Sequence, residues 1–482
     1  MNSAGWRSRA AGIGAEARLR APGIVALLAT LSLSCAPQAD AGRPNVVLMV
    51  VDTLRADRLP EYGHGRPTSG ALASFLADAT RFERAYTPGS WTQPAVASVL
   101  TGLVPARHLS KKGHSERLPE VAVSLAEELA AAGWTTMGFS HNVNISAKND
   151  FDQGFERFAS YDGGVLGYPH AHEMIDAALK AMADPRRPFL LYLQPMNPHG
   201  PYRVPLERRS ALLGRPPVPG FIYQSPGFQT LMLGRLELRE HVTSGMLTSL
   251  EEQYDTAVRY TLDELSRLVG ALQTAGEYES SWIVLTSDHG EELFDHGGFS
   301  HGYTLHEEIV RVPLFIKPAG AEPPGGVIEQ PVGLVDLHPT LLAVAGVEPA
   351  PDLDGRSLLP LLRPGVPRAE SPPRELLLEG DLDRRCRARG LLRGRYKVIH
   401  VDRDYEGRHD EVLLFDLQED PQERVDLASE RPELAAELMA RMEELFAEAE
   451  AKALPIAEES PVEIDRRTLE ALGYLDRGSG TE

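Results

Sequence analysis

Short hydrophobic runs alternate along the chain with stretches whose apolar residues recur at helical spacing. The runs are continuous and aliphatic, which is typical of strands that are buried on both faces. They lie at 46–51, 189–193, 282–286 and 312–316. Between them, the segments 123–132 and 254–272 have helical periodicity, and a glycine follows each one within a few residues. This order predicts an α/β fold in which helices cover both faces of a mostly parallel sheet.

The hydrophobic pattern changes after a proline-rich stretch at 363–374. Beyond it, short apolar segments alternate with turn signals, which predicts a small antiparallel sheet. An acidic amphipathic helix is predicted to follow it. We therefore predict a large α/β domain over 43–365, a C-terminal α+β subdomain over 366–450 and a tail over 451–482.

Residues 1–42 have the pattern of an export leader and linker. The first twenty residues contain four arginines and one glutamate, and an apolar run follows at 24–33. This run is shorter than the roughly 20 residues that a spanning helix needs. It ends in Leu-Ser-Leu-Ser before Cys35, which resembles a bacterial lipoprotein cleavage box. We expect an exported protein, periplasmic or at the cell surface, with a lipid anchor at Cys35. Export without a lipid and an uncleaved anchor are the alternatives.

Composition narrows the classes of function. The chain has 482 residues, 42% of them hydrophobic, so it can bury a core and is not disordered overall. Its 49 basic and 69 acidic residues give a net charge of −20, which argues against nucleic acid as a partner. With only two cysteines, the chain cannot build a disulfide framework, a four-cysteine zinc site or an iron–sulfur cluster.

Polar residues follow three of the predicted strands within a few positions. Asp52 comes after the first strand, His199 after the second, and Asp288 and His289 after the third. In open α/β sheets, ligands bind beyond the carboxyl ends of the strands. Two carboxylates and an imidazole suit a divalent cation, and their repulsion makes them costly to cluster without one. Each aspartate alone could be a turn or capping residue, but the set together favours a metal site.

Thr92 lies at the predicted start of a helix. Pro94 suits the first helical turn and Gly102 suits its end. The Thr92 hydroxyl would then lie at a helix N-terminus, where backbone N–H groups favour an anion. It could be a capping group, worth about 1 kcal/mol. Beside a metal ion, it could instead be a nucleophile, because the ion lowers the pKa of a ligating hydroxyl.

A series of short motifs runs through the chain between about residues 43 and 427. In chain order they include Asp52-Thr-Leu-Arg-Ala-Asp57, Thr92-x-Pro-x-x-x-Ser-x-Leu-Thr-Gly102, Asn197-Pro-His199, Thr286-Ser-Asp288-His289-Gly-Glu-Glu, His296-Gly with His301-Gly, Glu307-Glu-Ile-Val-Arg-Val-Pro313, Asp336-Leu-His-Pro-Thr and Leu414-Phe-Asp. Together they resemble the sulfatase family, a branch of the alkaline-phosphatase-like superfamily. The resemblance implies a mixed, mostly parallel sheet between helices and a small four-stranded C-terminal sheet. It makes 43–365 the catalytic domain.

The resemblance also implies roles for individual residues. Asp52, Asp288 and His289 match metal ligands, and Thr92 is at the position of the nucleophile, where it would also touch the metal. His199 and His301 fall where the family holds the ester oxygens and protonates the leaving group.

Departures from the family pattern bear on the chemistry. Sulfatases use a formylglycine made from Cys or Ser in a Cys/Ser-x-Pro-x-Arg motif, whereas this chain has Thr92 and Val96 at the two ends. Oxidation of a threonine would give a ketone, so no formylglycine is expected. The family's second aspartate is Thr53 here. Related phosphodiesterases and phosphoethanolamine transferases do use threonine as the nucleophile.

We therefore predict a metal-dependent ester hydrolase that acts on phosphate mono- or diesters or on sulfate esters. It would hold one divalent ion, Ca²⁺, Mn²⁺ or Zn²⁺, and its substrate would be a small molecule, a glycan or a lipid head group. A binding protein for sulfated or phosphorylated glycans is one alternative, and a phosphotransferase with a threonine-linked intermediate is another. Asn142 could reach the ester oxygens, and His296 could contact substrate or a second metal.

Overall fold

The computed structural model describes residues 42–111, 117–161, 170–183, 188–213, 242–320, 325–362, 374–383, 386–403 and 409–455. Cys35 and nearly all of the predicted leader lie outside these ranges, so export and lipidation stay predictions. The predicted domain boundary at 365/366 lies outside them as well. Within the described ranges, we find no helix that combines the length and the hydrophobicity of a membrane span.

The larger part of the molecule is built on one mixed sheet. The strands in this part are β1 Asn45–Val50, β2 Thr80–Tyr86, β3 Thr135–Ser140, β4 Arg157–Ser160, β5 Phe189–Gln194, β6 Ser281–Thr286, β7 Glu292–Leu293, β8 Phe299–Ser300, β9 Arg311–Lys317, β10 Val327–Ile328 and β11 Val332–Gly333. The sheet has the order β10-β2-β9-β6-β1-β5-β3-β4, and β11 also pairs with β2. Only β9 runs antiparallel to its neighbours, β2 and β6, while β7 and β8 form a separate hairpin. The predicted α/β fold with a mostly parallel sheet is therefore confirmed.

Helices cover both faces of this sheet. In chain order, the helices are α1 Ala73–Asp78, α2 Thr92–Thr101, α3 Pro105–His108, α4 Leu125–Ala131, α5 Ala171–Ala181, α6 Leu206–Leu213, α7 Ser244–Thr274, α8 Glu307–Val310, α9 Leu337–Ala345, α10 Leu359–Leu362 and α11 Pro432–Ala451. Helix α4 starts with a capping box between Ser124 and Glu127. Helix α7 begins ten residues before its predicted start, because the Thr243 side chain accepts a hydrogen bond from the Met246 N–H and caps it there.

Strand β1 shows why the hydrophobic runs are continuous. Its side chains point alternately to the two faces of the sheet. Val47 and Met49 pack into the core on one face, whereas Val46 and Leu48 pack into the core on the other. Both faces are covered by helices, so neither set can be polar.

The C-terminal part is a small sheet with one helix on it. Strands β12 Glu375–Asp383, β13 Cys386–Arg393, β14 Tyr396–Arg403 and β15 His409–Asp416 form an antiparallel sheet in sequential order. Leu438, Met442 and Phe446 of α11 pack against this sheet. The predicted C-terminal antiparallel sheet is confirmed. Its strands are longer than the apolar segments that predicted them.

Strands β5, β1 and β6 are adjacent and parallel at the centre of the main sheet. Leu193 of β5 pairs with Met49 of β1, and Thr286 of β6 pairs with Val50. The three carboxyl ends are therefore level. Residues that directly follow these strands meet at one edge of the sheet.

Candidate active site

Three potential metal ligands lie together at this edge. Asp52 follows β1, and Asp288 and His289 follow β6, so the level strand ends bring them side by side. Each offers one ligand atom, and these atoms lie within 4.8 Å of one another. Nε2 of His289 is 3.6 Å from Oδ2 of Asp288 and 4.0 Å from Oδ1 of Asp52. All three side chains are fully buried. Among the described residues, this is the one group of three such side chains that could hold an ion.

A divalent cation fits this donor set. Burial, and secondly the neighbouring Asp288 carboxylate, raise the pKa of Asp52 well above its ordinary value. Burial also raises the pKa of Asp288. Within the described part of the chain, Oδ1 of Asp52 is buried with no hydrogen-bond partner. Burial lowers the pKa of His289 to about 3, so its ring is neutral, which is the form that binds metals. A bound cation would offset the carboxylate repulsion and provide a partner for Oδ1.

Thr53 supports the cluster through hydrogen bonds rather than as a ligand. Its N–H donates to Oδ1 of Asp288 over 3.2 Å, and its hydroxyl donates to the Asp52 carbonyl over 2.8 Å. Its φ of 58° is in the left-handed region, which is uncommon for a β-branched residue. The hydroxyl of Tyr254 on α7 donates to the Thr53 carbonyl over 2.6 Å and helps to hold this conformation.

Thr92 borders the cluster from the start of helix α2. It is the first residue of the helix and is fully buried, and the N-cap residue is Trp91. Oγ1 of Thr92 lies 3.2 Å from Nε2 of His289. The alternative role of Thr92 as a helix cap is therefore not what the structure shows. Its hydroxyl lies at the N-terminus of α2 and faces the candidate metal ligands.

Asn142 connects Thr92 to the cluster. Its Nδ2 donates to Oδ2 of Asp52 over 2.7 Å and to Oγ1 of Thr92 over 3.2 Å. Asn142 was predicted to lie near the ester oxygens, and the structure brings it to Thr92 and to the candidate ligand Asp52. Gln194, the last residue of β5, was missed. Its Nε2 donates to Oδ2 of Asp288 over 3.3 Å. The signal was the same as for Asp52: a polar residue at the end of a buried strand.

The two remaining predicted histidines lie beside the cluster. The rings of His199 and His301 are 4.9 Å apart, and the rings of His301 and His289 are 4.3 Å apart. Burial lowers the pKa of His199 to about 4 and that of His301 to about 3. Both rings are therefore neutral at pH 7 until an anionic ligand favours their protonated form.

Glu291 is a further buried residue of this site that sequence reasoning missed. Its Oε1 lies 3.1 Å from Nδ1 of His301. Burial raises the pKa of its carboxyl to about 7. The available signal was its place within the motif that begins at Thr286.

His296 bonds through both ring nitrogens to residues other than Asp52, Asp288 and His289. Its Nδ1 lies 2.7 Å from Oε1 of Glu308, and its Nε2 lies 3.2 Å from the Glu423 carbonyl. Its ring stacks on His306 at 3.7 Å. Both ring nitrogens therefore bond to a cluster that joins the main part to the C-terminal part, and the contact of His296 with substrate or a second metal stays a prediction.

Two family models match this chain. The model described as "Sulfatase" matches residues 44–347. The model described as "N-sulphoglucosamine sulphohydrolase, C-terminal" matches residues 295–451. The first match alone covers more than half of the 482 residues.

Individual relatives cover most of the chain. Arylsulfatase A of Bos taurus is 29% identical over 470 residues, which is 86% of this chain and 90% of that protein. A protein solved in complex with its substrate D-glucosamine-2-N,6-O-disulfate has a TM-score of 0.66 at 20% identity and covers 86% of this chain and 100% of that one. The phosphonate monoester hydrolase of Agrobacterium radiobacter has a TM-score of 0.64 at 19% identity, with 84% and 96% covered. At these identities, the two structures show a shared fold. Taken together with the family match, these findings show that this chain belongs to the sulfatase family and is an ester hydrolase.

Proposed function

We propose that this protein hydrolyses phosphate or sulfate esters with the Thr92 hydroxyl oxygen as its nucleophile. The observation that carries this proposal is the position of Oγ1 at the start of α2. It lies 3.2 Å from Nε2 of His289 and 3.2 Å from Nδ2 of Asn142. The proteins similar to this chain include an arylsulfatase and, by fold, a phosphonate monoester hydrolase. Esters of sulfur and of phosphorus oxyanions are therefore both represented among them. We favour phosphate esters, because a hydroxyl can attack phosphorus directly, whereas the aldehyde route of sulfatases needs an oxidisable Cys or Ser.

Asp52, Asp288 and His289 would hold a divalent ion, with Thr92 beside it. When bound, such an ion neutralises charge on the ester oxygens and lowers the pKa of a neighbouring hydroxyl. The chain itself fixes the nucleophile. The side-chain amide of Asn142 donates a hydrogen bond to Oγ1, and this bond orients the Thr92 hydroxyl. The burial of these groups excludes water and strengthens each polar interaction.

The reaction would proceed in two displacements. Oγ1 of Thr92 releases its proton to solvent and bonds to phosphorus, and the bond from phosphorus to the alcohol oxygen breaks. His199 or His301 gives a proton to the departing alcohol. Water then attacks the phosphothreonine and gives a proton to the same histidine, and the bond from phosphorus to Oγ1 breaks. Phosphate leaves, and Oγ1 takes up a proton from solvent, which restores the threonine. An anionic ester beside the two rings raises their pKa and so favours the protonated form that the first step needs.

The test is hydrolysis of p-nitrophenyl phosphate, bis-p-nitrophenyl phosphate and p-nitrophenyl sulfate by chelator-treated protein, with and without Mn²⁺, Ca²⁺ or Zn²⁺. We expect metal-dependent release of p-nitrophenol. Thr92→Ala should lower kcat by about 10³-fold or more, while Thr92→Ser retains most of it. Thr101→Ala is the matched control, since Thr101 is a buried threonine at the far end of the same helix.

Turnover that survives in Thr92→Ala would contradict the nucleophile assignment. Binding of these esters without cleavage under any metal would favour the binding-protein alternative. Release of p-nitrophenol without free phosphate or sulfate would instead indicate transfer to an acceptor.

A further inference from the structure

The carboxylate of Glu291 touches both segments that carry the candidate proton donors. Glu291 is 1% exposed. Its Oε1 lies 3.1 Å from Nδ1 of His301, and its Oε2 accepts from the Gly200 N–H over 3.4 Å. Gly200 directly follows His199, whose Nδ1 lies 2.6 Å from the Gly200 carbonyl. One buried side chain thus bridges the His301 ring and the backbone next to His199.

The position of Glu291 is itself fixed. The guanidinium of Arg55 donates to the Glu291 carbonyl over 3.0 Å. That guanidinium is in turn held by the carboxylates of Asp57 and Asp295. Because Arg55 anchors the backbone of Glu291, the carboxylate is carried by a rigid support rather than by a free loop.

We infer that Glu291 is a positioning residue for leaving-group protonation, a role that rests on the proposed function. With Nδ1 of His301 bonded to the carboxylate, Nε2 is the ring nitrogen that can serve the ester. The same logic applies wherever a carboxylate fixes the orientation of a catalytic histidine. The rings of His199 and His301 meet edge to face at 4.9 Å, so a rotation of the His301 ring also disturbs His199.

The neighbouring glutamate provides a matched control. Glu292 is also buried, at 3% exposure. Its Oε1 accepts from the N–H groups of His296 and Gly298, over 3.1 and 2.7 Å, and so closes the β7–β8 hairpin. Glu292→Gln therefore changes a buried glutamate of the same segment whose hydrogen bonds lead away from the two histidines.

The experiment compares leaving groups in the ester class that the wild type hydrolyses. The p-nitrophenyl ester departs readily without a proton, whereas the phenyl ester has a more basic leaving group and depends on protonation. Glu291→Gln should lower kcat for the phenyl ester by about 10²-fold and for the p-nitrophenyl ester by less than about tenfold, with KM little changed. Glu292→Gln should alter both esters by the same factor. A His301→Gln variant should show the selective loss, and adding Glu291→Gln to it should produce little further loss.

Equal losses on both esters in Glu291→Gln, or independent losses in the double variant, would overturn the inference while leaving the proposed function standing. Wild-type protein that cleaves neither ester under any metal would overturn both. If Glu291→Gln does not fold, Glu291→Asp takes its place, because the shorter chain withdraws the carboxylate from Nδ1. It should show the same selective loss, and an unselective loss would again count against the inference.

Discussion

Replacing Asp52 by asparagine should stabilise the metal-free protein and remove its response to metal. Without an ion, the Asp52 and Asp288 carboxylates face each other in a buried site. An asparagine keeps an oxygen to accept from Asn142, and it presents an amide in place of the second carboxylate oxygen. The change removes repulsion between the carboxylates in chelator, and it also removes a ligand when metal is present.

The magnitude follows from the separation of the ligand atoms. They lie within 4.8 Å of one another. At an effective dielectric constant of about 20, two unit charges at that distance repel by 332/(20 × 4.8), or about 3.5 kcal/mol. Protonation of one carboxyl relieves part of this, so we expect the variant to gain about 1–3 kcal/mol in chelator. Metal at 1,000 times its Kd should stabilise the wild type by about 4.1 kcal/mol, which exceeds the advantage of the variant in chelator, and should stabilise the variant by much less.

The assay is the thermal and urea unfolding of both proteins in chelator and in saturating metal. The predicted result is a reversal of order: Asp52→Asn is the more stable protein in chelator, and the wild type is the more stable in metal. Asp57→Asn is the control, since it weakens a half-exposed ion pair with Arg55 and should destabilise the protein equally in both buffers. If Asp52→Asn is destabilised in chelator, or if metal stabilises both proteins alike, the reasoning about the cluster is refuted.

Three further predictions follow from the same structure. The pKa of Asp52 is higher in the folded protein than in the unfolded chain, so its carboxyl stabilises the metal-free fold below about pH 4, and this contribution is lost as the pH rises through the folded pKa. The stability advantage of Asp52→Asn in chelator should therefore grow with pH. An advantage that stays constant with pH would contradict this. Asn142→Ala should lower kcat/KM by about 10²-fold, because Asp52 and Thr92 both lose a donor, and unchanged steady-state kinetics would count against the role of Asn142. Lys397→Met should cost about 3–5 kcal/mol in urea unfolding, since it removes the buried cation that pairs with Oε1 of the buried Glu423 carboxylate, and a loss below about 1 kcal/mol would show that the pair is dispensable.

The sequence pattern predicted the centre of the sheet better than its margins. Strands β1, β5 and β6 are continuous apolar runs because both of their faces are buried. Strand β2 alternates buried and partly exposed positions, with charged residues at Arg81 and Glu83, so no such run marks it. Strand β3 includes Gly138, where an added Cβ would come within 2.6 Å of the Phe158 ring. The need for glycine there depends on a neighbouring strand, which the local sequence does not reveal.

The sequence predicts those site residues that follow strands. It does not predict hydrogen bonds between residues that only the fold brings together. Asp52, Asp288 and His289 met as expected because parallel strands end at one edge. The partner of Gln194 lies 94 positions away in the chain, and only the fold brings the two together. The ring of His296 bonds to the Glu423 carbonyl of the C-terminal part, a partner 127 positions away that the spacing of His296 from His301 does not reveal.

The most direct measurement of the central proposal is the covalent state of Thr92 during turnover. Protein quenched in acid while it hydrolyses its p-nitrophenyl ester would be digested, and the peptide that contains Thr92 would be analysed by mass spectrometry. We expect a phosphoryl or sulfuryl group on Thr92 that appears only with metal and ester together. Steady turnover with an unmodified Thr92, or with the group on another residue, would contradict it.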